Sequence, residues 1–144
     1  MRPATEDDIP LARKLHHLGY HDVVIRQFGK WDDAAQDRSF DEGWALADYD
    51  IILLDGQPCG YTAILHHEDH VQVLDLVISP EHQSKGIGTA VLRGAMQDAD
   101  ARGVPVRLSV LHESRAIRLY QSLGFRQTCK GDTHLSMEGG PKGT

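Results

Sequence analysis

VQVLDLVISPEHQSKGIG, residues 71–88, carries a strand, a turn and a helix start in one stretch. Val71 to Ser79 reads as a strand whose two faces are both mostly apolar, which predicts a central position covered on both sides. Pro80 stops the strand, because it cannot donate to a ladder. A polar loop then runs to Gly86-Ile87-Gly88, and a helix is predicted from about Thr89. Such a turn suits phosphate: glycine lets backbone approach closely, the first helical N–H groups lack intrahelical partners, and the dipole favours an anion.

Outward from this stretch, the downstream helix is marked by Ile87, Val91, Leu92, Ala95, Met96 and Ala99, and Gly103 and Pro105 stop it. Val104 to Leu111 is β-rich. Strand, crossover helix, strand implies that 71–79 and 104–111 share a sheet. Ser114 is placed to cap a helix carrying Ala116, Ile117, Leu119, Tyr120 and Leu123, closed by Gly124. Residues 125–130 and 133–137 read as two last strands, and the tail from Gly139 to Thr144 is expected to fray.

Upstream, Arg2 to Ala4 reads as a short strand and Thr5 as a helix cap, with Glu6, Asp7 and Asp8 favouring the helix start. Ile9, Ala12, Leu15 and His16 share a face, and Gly19 is expected to end that helix. A second helix starts near His21, with Val24, Phe28 and Trp31 on one side, and Asp32 caps a continuation towards Phe40. Residues 41–48 are ambiguous. Tyr49 to Leu54 and Cys59 to His66 are strands joined by the hairpin signal Asp55-Gly56. The sum is a mixed, mostly antiparallel sheet of six to seven strands flanked by helices on both faces, in one domain spanning residues 1–138.

Composition narrows the class of protein. With 144 residues, 40% hydrophobic and 25% charged, the chain reads as one soluble globular domain. It lacks a run of roughly 20 apolar residues and a signal-peptide core, so a cytoplasmic location and no membrane partner are expected. The net charge of −6 argues against nucleic acid and is compatible with a cationic substrate. Cys59 and Cys129 lack metal or redox spacing and read as buried strand thiols. His66, His67 and His70 flank a turn without HExxH spacing, so no metal is expected.

The loop is neither a P-loop, lacking Gly-Lys-Ser/Thr at the required spacing, nor a dinucleotide fingerprint, whose third glycine would fall at Val91. Gln83-x-x-Gly86-x-Gly88, after the strand ending in Leu76-Val-Ile-Ser-Pro80, instead closely resembles the cofactor motif of the Gcn5-related N-acetyltransferases. Ala116-Ile-Arg-Leu-Tyr120-Gln-Ser-Leu-Gly124-Phe125 resembles the C-terminal helix and strand start of that family. Arg2-Pro3-Ala4-Thr5 resembles its first strand and cap.

The resemblance implies an acyl-CoA N-acyltransferase-like fold, acetyl-CoA as acetyl donor and a primary amine of a small molecule, protein or peptide as acceptor. It implies that the backbone of Leu76, Val77 and Ile78 bonds the pantetheine arm. It also implies that the amides of Ser84, Lys85, Gly86, Ile87, Gly88 and Thr89 cradle the pyrophosphate. Tyr120 would be the general acid that protonates the departing thiolate. The proton acceptor is left open between Asp75, His134 and ordered water. An asparagine common in the family seven residues before the tyrosine is replaced here by Glu113, followed by Ser114, and its role is not carried over. A non-catalytic CoA or acyl-CoA sensor on the same fold is the alternative, and homodimers are common in similar proteins.

Overall fold

A computed structural model describes residues 1–140, so the expected fraying of 141–144 falls outside the described residues. Strands are β1 (Arg2–Pro3), β2 (Asp50–Leu54), β3 (Gln57–His66), β4 (Val71–Ile78), β5 (Val106–Leu111), β6 (Arg126–Lys130) and β7 (His134–Gly139). Helices are α1 (Ile9–Phe28), α2 (Asp33–Leu46), α3 (Ile87–Ala101) and α4 (Ala116–Ser122). One seven-stranded mixed sheet runs in the order β1-β2-β3-β4-β5-β7-β6. Two compact units divide the chain: Met1–Ala63 with Asp75–Gly88, and Ile64–Leu74 with the chain from Thr89 onward.

In the first unit, the start is tied down by charge. Arg2 donates two bonds of 2.8 Å to the carboxylate of Asp8. The Thr5 N–H adds a third at 2.8 Å. Together these donors lower the Asp8 pKa to about 2, with the Arg2 side chain as the largest cause. The helix that follows corrects one expectation. Gly19 does not end it; α1 continues to Phe28, and Gly29 (φ 77°) closes it by donating to the Ile25 carbonyl at 2.9 Å. Gly19 serves a different purpose, since a Cβ there would lie 2.7 Å from Val77 Cγ1. The glycine lets α1 press onto β4.

Asp32 caps α2 by accepting from the Ala35 N–H at 3.1 Å. That helix absorbs most of the ambiguous segment 41–48, reaching Leu46. Asp55 (φ 51°) and Gly56 (φ 78°) both take left-handed backbone, the type I′ geometry that the sequence pair signals. Across this hairpin the register slips between Ile52 and Leu53, so that Cys59 is the extra residue on β3. Ile51, Ile52, Cys59, Tyr61 and Ala63 form the buried centre with Phe40 and Tyr49.

In the second unit, β4 and β5 pair in parallel over Val71–Val73 with Val106–Leu108, as the crossover helix requires. Leu92, Ala95 and Ala99 form the buried stripe of α3. Gly103 (φ 69°) ends its last turn, and the Pro105 carbonyl accepts from the Val71 N–H at 2.9 Å. β7 pairs antiparallel with β5 from Leu111↔His134 to Val106↔Gly139, so Gly139 belongs to the strand and not to the tail. Arg107 and Arg126 share the Glu138 carboxylate at 3.0 and 3.1 Å. Cys129 is exposed on the outer strand β6, contrary to the expectation that both thiols are buried. An edge strand with four of its five residues exposed offers no interior for it. Among the described residues, no helix is long and apolar enough to cross a membrane.

Candidate active site

The second half of β4 and the turn that follows it belong to the first unit, and their backbone geometry is the centre of the site. In a strand, the N–H and C=O of one residue point to the same edge, and successive residues alternate. The Asp75 carbonyl accepts from Thr62 Oγ1 on β3 at 2.7 Å. The Val77 carbonyl lies where a Gly60 side chain would be, 2.2 Å from an ideal Cβ. The Ser79 N–H donates to the Cys59 carbonyl at 2.8 Å. Residues 75, 77 and 79 therefore spend their backbone groups on β3. Leu76 and Ile78 present theirs to the opposite edge.

Side chains alternate across the faces. Val77 meets Gly19 of α1, and Asp75 meets Tyr20 of the same helix. Ile78 faces the other way, its Cγ1 4.0 Å from the Cβ position of Gly88.

After β4 the chain makes a short 3-10 turn, Pro80–His82, started by the proline. Ser79 and His82 close it through an Oγ···Nδ1 bond of 2.6 Å. Gln83 folds back and donates from Nε2 to the Ile78 carbonyl at 3.0 Å, which ties the loop to the end of the strand. Ser84 (φ 66°) and Gly86 (φ 79°) take left-handed backbone on either side of Lys85. Left-handed residues alternating with ordinary ones turn successive N–H groups inward, the arrangement of an anion nest. The helix begins two residues earlier than predicted, at Ile87, so Gly88 lies in the first turn of α3 and its N–H has no intrahelical acceptor. Ser84, Lys85 and Gly86 are all exposed, so this nest opens to solvent.

A buried polar network lies beside the strand. The Asp75 carboxylate accepts from Tyr20 Oη at 2.9 Å and from Tyr49 Oη at 3.4 Å. Its pKa is raised; burial is the main cause, opposed by the two tyrosines and by the Leu76 N–H. His16 is buried and held neutral by that burial, which lowers its pKa. It bonds Gln36 Oε1 through Nε2 at 3.0 Å and Tyr61 Oη through Nδ1 at 3.4 Å. Sequence reading named Asp75 but missed Tyr20, Tyr49, Tyr61 and His16 as its surroundings. They come from α1, the residue before β2, and β3, and no local spacing links them.

The second unit carries the remaining candidates. Tyr120 is partly exposed on α4, its ring 5.9 Å from that of Phe125. Phe125 N–H donates to the Tyr120 carbonyl at 2.9 Å, and Gly124 (φ 95°) makes that turn. The N-cap of α4 is Arg115, one residue after the expected Ser114, whose Oγ accepts from the Ala116 N–H at 3.2 Å. Glu113 is exposed. His134, at the start of β7, has its pKa lowered by burial first and by neighbouring His112 second. Among the described residues, no group of three or more His, Cys, Asp or Glu side chains is arranged to hold a metal.

The mixed seven-stranded sheet with four helices is the fold of GNAT acyl-CoA N-acyltransferases. The chain belongs to the GNAT acetyltransferase family, whose sequence model matches residues 14–125. It is 36% identical over 81 residues to N-acetyltransferase family 8 member 3 of Rattus norvegicus, a match covering 51% of this chain and 36% of that protein. The chain thus matches about a third of that relative's length. Among solved structures it resembles the PaiA N-acetyltransferase of Thermoplasma acidophilum in complex with coenzyme A, with a TM-score of 0.75, 16% identity and 96% of each chain covered. It also resembles the ribosomal-protein-S18-alanine N-acetyltransferase of Escherichia coli, with a TM-score of 0.66 and 19% identity, over 95% of this chain and 90% of that one.

Proposed function

We propose that residues 1–138 act as an N-acetyltransferase that moves acetyl from acetyl-CoA to a primary amine of a small molecule, protein or peptide. The observation that carries this reading is the nest at Ser84–Gly86 running into the unpaired amides of α3. These groups suit a pyrophosphate: several N–H donors converge, Lys85 adds a positive charge, and no acidic residue lies between Gln83 and Thr89. Ser84, Lys85, Gly86, Ile87, Gly88 and Thr89 are the proposed cradle.

Leu76 and Ile78 are proposed to bond the pantetheine arm, since their backbone groups turn away from β3. Val77, expected to share this role, turns its carbonyl towards Gly60 of β3. Acetyl-CoA supplies an acetyl group activated as a thioester. Tyr120 is proposed to donate its phenolic proton to the departing sulfur, where negative charge develops. Alignment of donor and amine by the two binding segments supplies the rest of the rate.

The test mixes the protein with acetyl-CoA and a panel of amines and follows thiol release. Release with a particular amine supports the enzyme. Tight binding of acetyl-CoA without release with any amine favours the sensor reading, to which the exchange of the common asparagine for Glu113 points. Absence of any coenzyme A binding overturns both.

A further inference from the structure

The carbonyl of Ile78 already has a donor. Its oxygen points to the edge of β4 that turns away from β3, where the parallel ladder with β5 covers Val71–Val73. Beyond that ladder the oxygen is satisfied from its own chain: the Gln83 carboxamide donates to it from Nε2 at 3.0 Å. A carbonyl accepts and does not donate, so the carboxamide must turn its NH2 to the strand. An amide N–H therefore stands where the N–H of an added strand would stand.

The turn holds its shape by other bonds. The 3-10 turn Pro80–His82 is closed by its own backbone, His82 N–H to the Ser79 carbonyl at 2.9 Å and Gln83 N–H to the Pro80 carbonyl at 3.3 Å. The Ser79–His82 side-chain bond of 2.6 Å braces it further. Gln83 itself has extended backbone (φ −68°, ψ 159°) and is exposed. Its carboxamide can swing into water, exchanging one hydrogen bond for another at little net cost. The Ile78 carbonyl has no such freedom, because both neighbours are fixed to β3: the Val77 carbonyl lies against Gly60, and the Ser79 N–H donates to the Cys59 carbonyl at 2.8 Å.

We propose that the Gln83 carboxamide stands in for an amide of the pantetheine arm, holding the Ile78 carbonyl in the free protein and giving way when the arm arrives. The inference rests on the acetyltransferase reading above. The arm carries secondary amides, and each offers the same kind of N–H that Gln83 offers in the free chain. An incoming amide takes the Ile78 carbonyl by breaking the Gln83 bond, so the contact opposes binding of the arm. A ligand that fills the nest at Ser84–Gly86 and has no arm leaves the contact intact. The contact therefore weakens those ligands that bring an amide to the strand, and spares those that bring a phosphate alone. Until the cofactor binds, it keeps an open stretch of strand edge satisfied, so that this stretch does not pair with a stray segment.

Calorimetry on the full chain tests this with a pair of ligands: coenzyme A, and its nucleotide diphosphate half, which keeps the pyrophosphate and lacks the arm. Gln83→Met preserves the length of the side chain and removes its N–H. The variant is expected to bind coenzyme A about fivefold more tightly than wild type, the worth of one displaced hydrogen bond, and to bind the nucleotide equally. Coenzyme A affinity that is unchanged or lower in the variant overturns the proposal alone, and a loss for both ligands shows that Gln83 braces the nest instead. Coenzyme A that fails to bind wild type refutes the donor site, and the proposal with it. The second measurement is nitrogen NMR relaxation of the Gln83 side-chain amide, its signal identified by its loss in Gln83→Met. The amide is expected to be ordered in the free chain and with the nucleotide, and mobile once coenzyme A is bound. An amide that stays ordered under saturating coenzyme A overturns the displacement.

Discussion

Asp75 has a stability signature that is separate from turnover. Its pKa is raised in the folded chain, so as pH rises the unfolded chain ionises at this residue first. Stability contributed by Asp75 is full below the ordinary aspartate pKa of about 4, falls as pH climbs, and levels off above the folded-state value. Asp75→Asn removes this slope. Denaturant unfolding should show the variant gaining on wild type between about pH 4 and neutrality; parallel curves would show that burial does not hold Asp75 protonated. Asp8 has the opposite sign. Its pKa is depressed to about 2, so its contribution is present above the ordinary aspartate value and disappears as acid titrates it. Tyr120→Phe is a third case at this scale. It keeps the ring against Phe125 and removes only the phenolic hydroxyl, so turnover should fall by about a hundredfold with acetyl-CoA affinity unchanged in calorimetry.

At the level of elements, Val77 is held between two glycines that fail for different reasons. Gly19→Ala places a Cβ 2.7 Å from a Val77 methyl, while Gly60→Ala places one 2.2 Å from the Val77 carbonyl oxygen. Overpacking of about 1–3 kcal/mol is expected from Gly19→Ala, partly offset by the better helix propensity of alanine. Adding Val77→Ala should relieve that clash, so the double variant is more stable than the two single losses predict. The same addition should not help Gly60→Ala, because its obstacle is backbone. A thermal-unfolding cycle that shows equal rescue at both sites would contradict this packing. This contact also explains why Gly19 misleads in the sequence: a glycine inside a helical pattern signals either an end or a close approach, and only the opposing strand decides. Likewise Asp41–Asp48 shows no clear period, yet it is helical as far as Leu46, because Phe40 and Trp44 stack on one another at 5.3 Å and reach the Tyr49 and Tyr61 rings. By contrast, the Asp55-Gly56 turn, the α3 stripe and the β4–α3–β5 crossover were legible, because each depends on neighbours in sequence.

For the whole molecule, the sheet order was readable as far as its one parallel pair. The insertion of β7 between β5 and β6 was not, since register between distant strands leaves no local trace. The family was legible for a related reason: the turn and helix start that carry its motif are built from contiguous residues. The polar network around Asp75 and His16 draws on side chains from α1, α2, the residue before β2, and β3, and it became visible only in the folded chain. If acetyl-CoA binds as proposed, the native chain should be stabilised by about 2.7 kcal/mol at a hundred times the Kd, read as a rise in Tm that coenzyme A also produces. An unchanged Tm under saturating acetyl-CoA would refute the donor site. Gly86→Val should diminish that rise, since its left-handed backbone costs a β-branched residue about 1–2 kcal/mol before any ligand is present.

The contrast between the two thiols bears on how such measurements are made. Cys59 is inaccessible and its thiol pKa is raised by burial, whereas Cys129 is exposed on β6. Native protein will therefore also consume one equivalent of any disulfide reagent that reports coenzyme A release, at Cys129 alone, and a second only on unfolding. Replacing Cys129 with serine gives a silent background for kinetics. Leaving it in place gives a single attachment point for a fluorophore, with the slower reaction of Cys59 serving as an internal clock for opening of the β2–β3 hairpin.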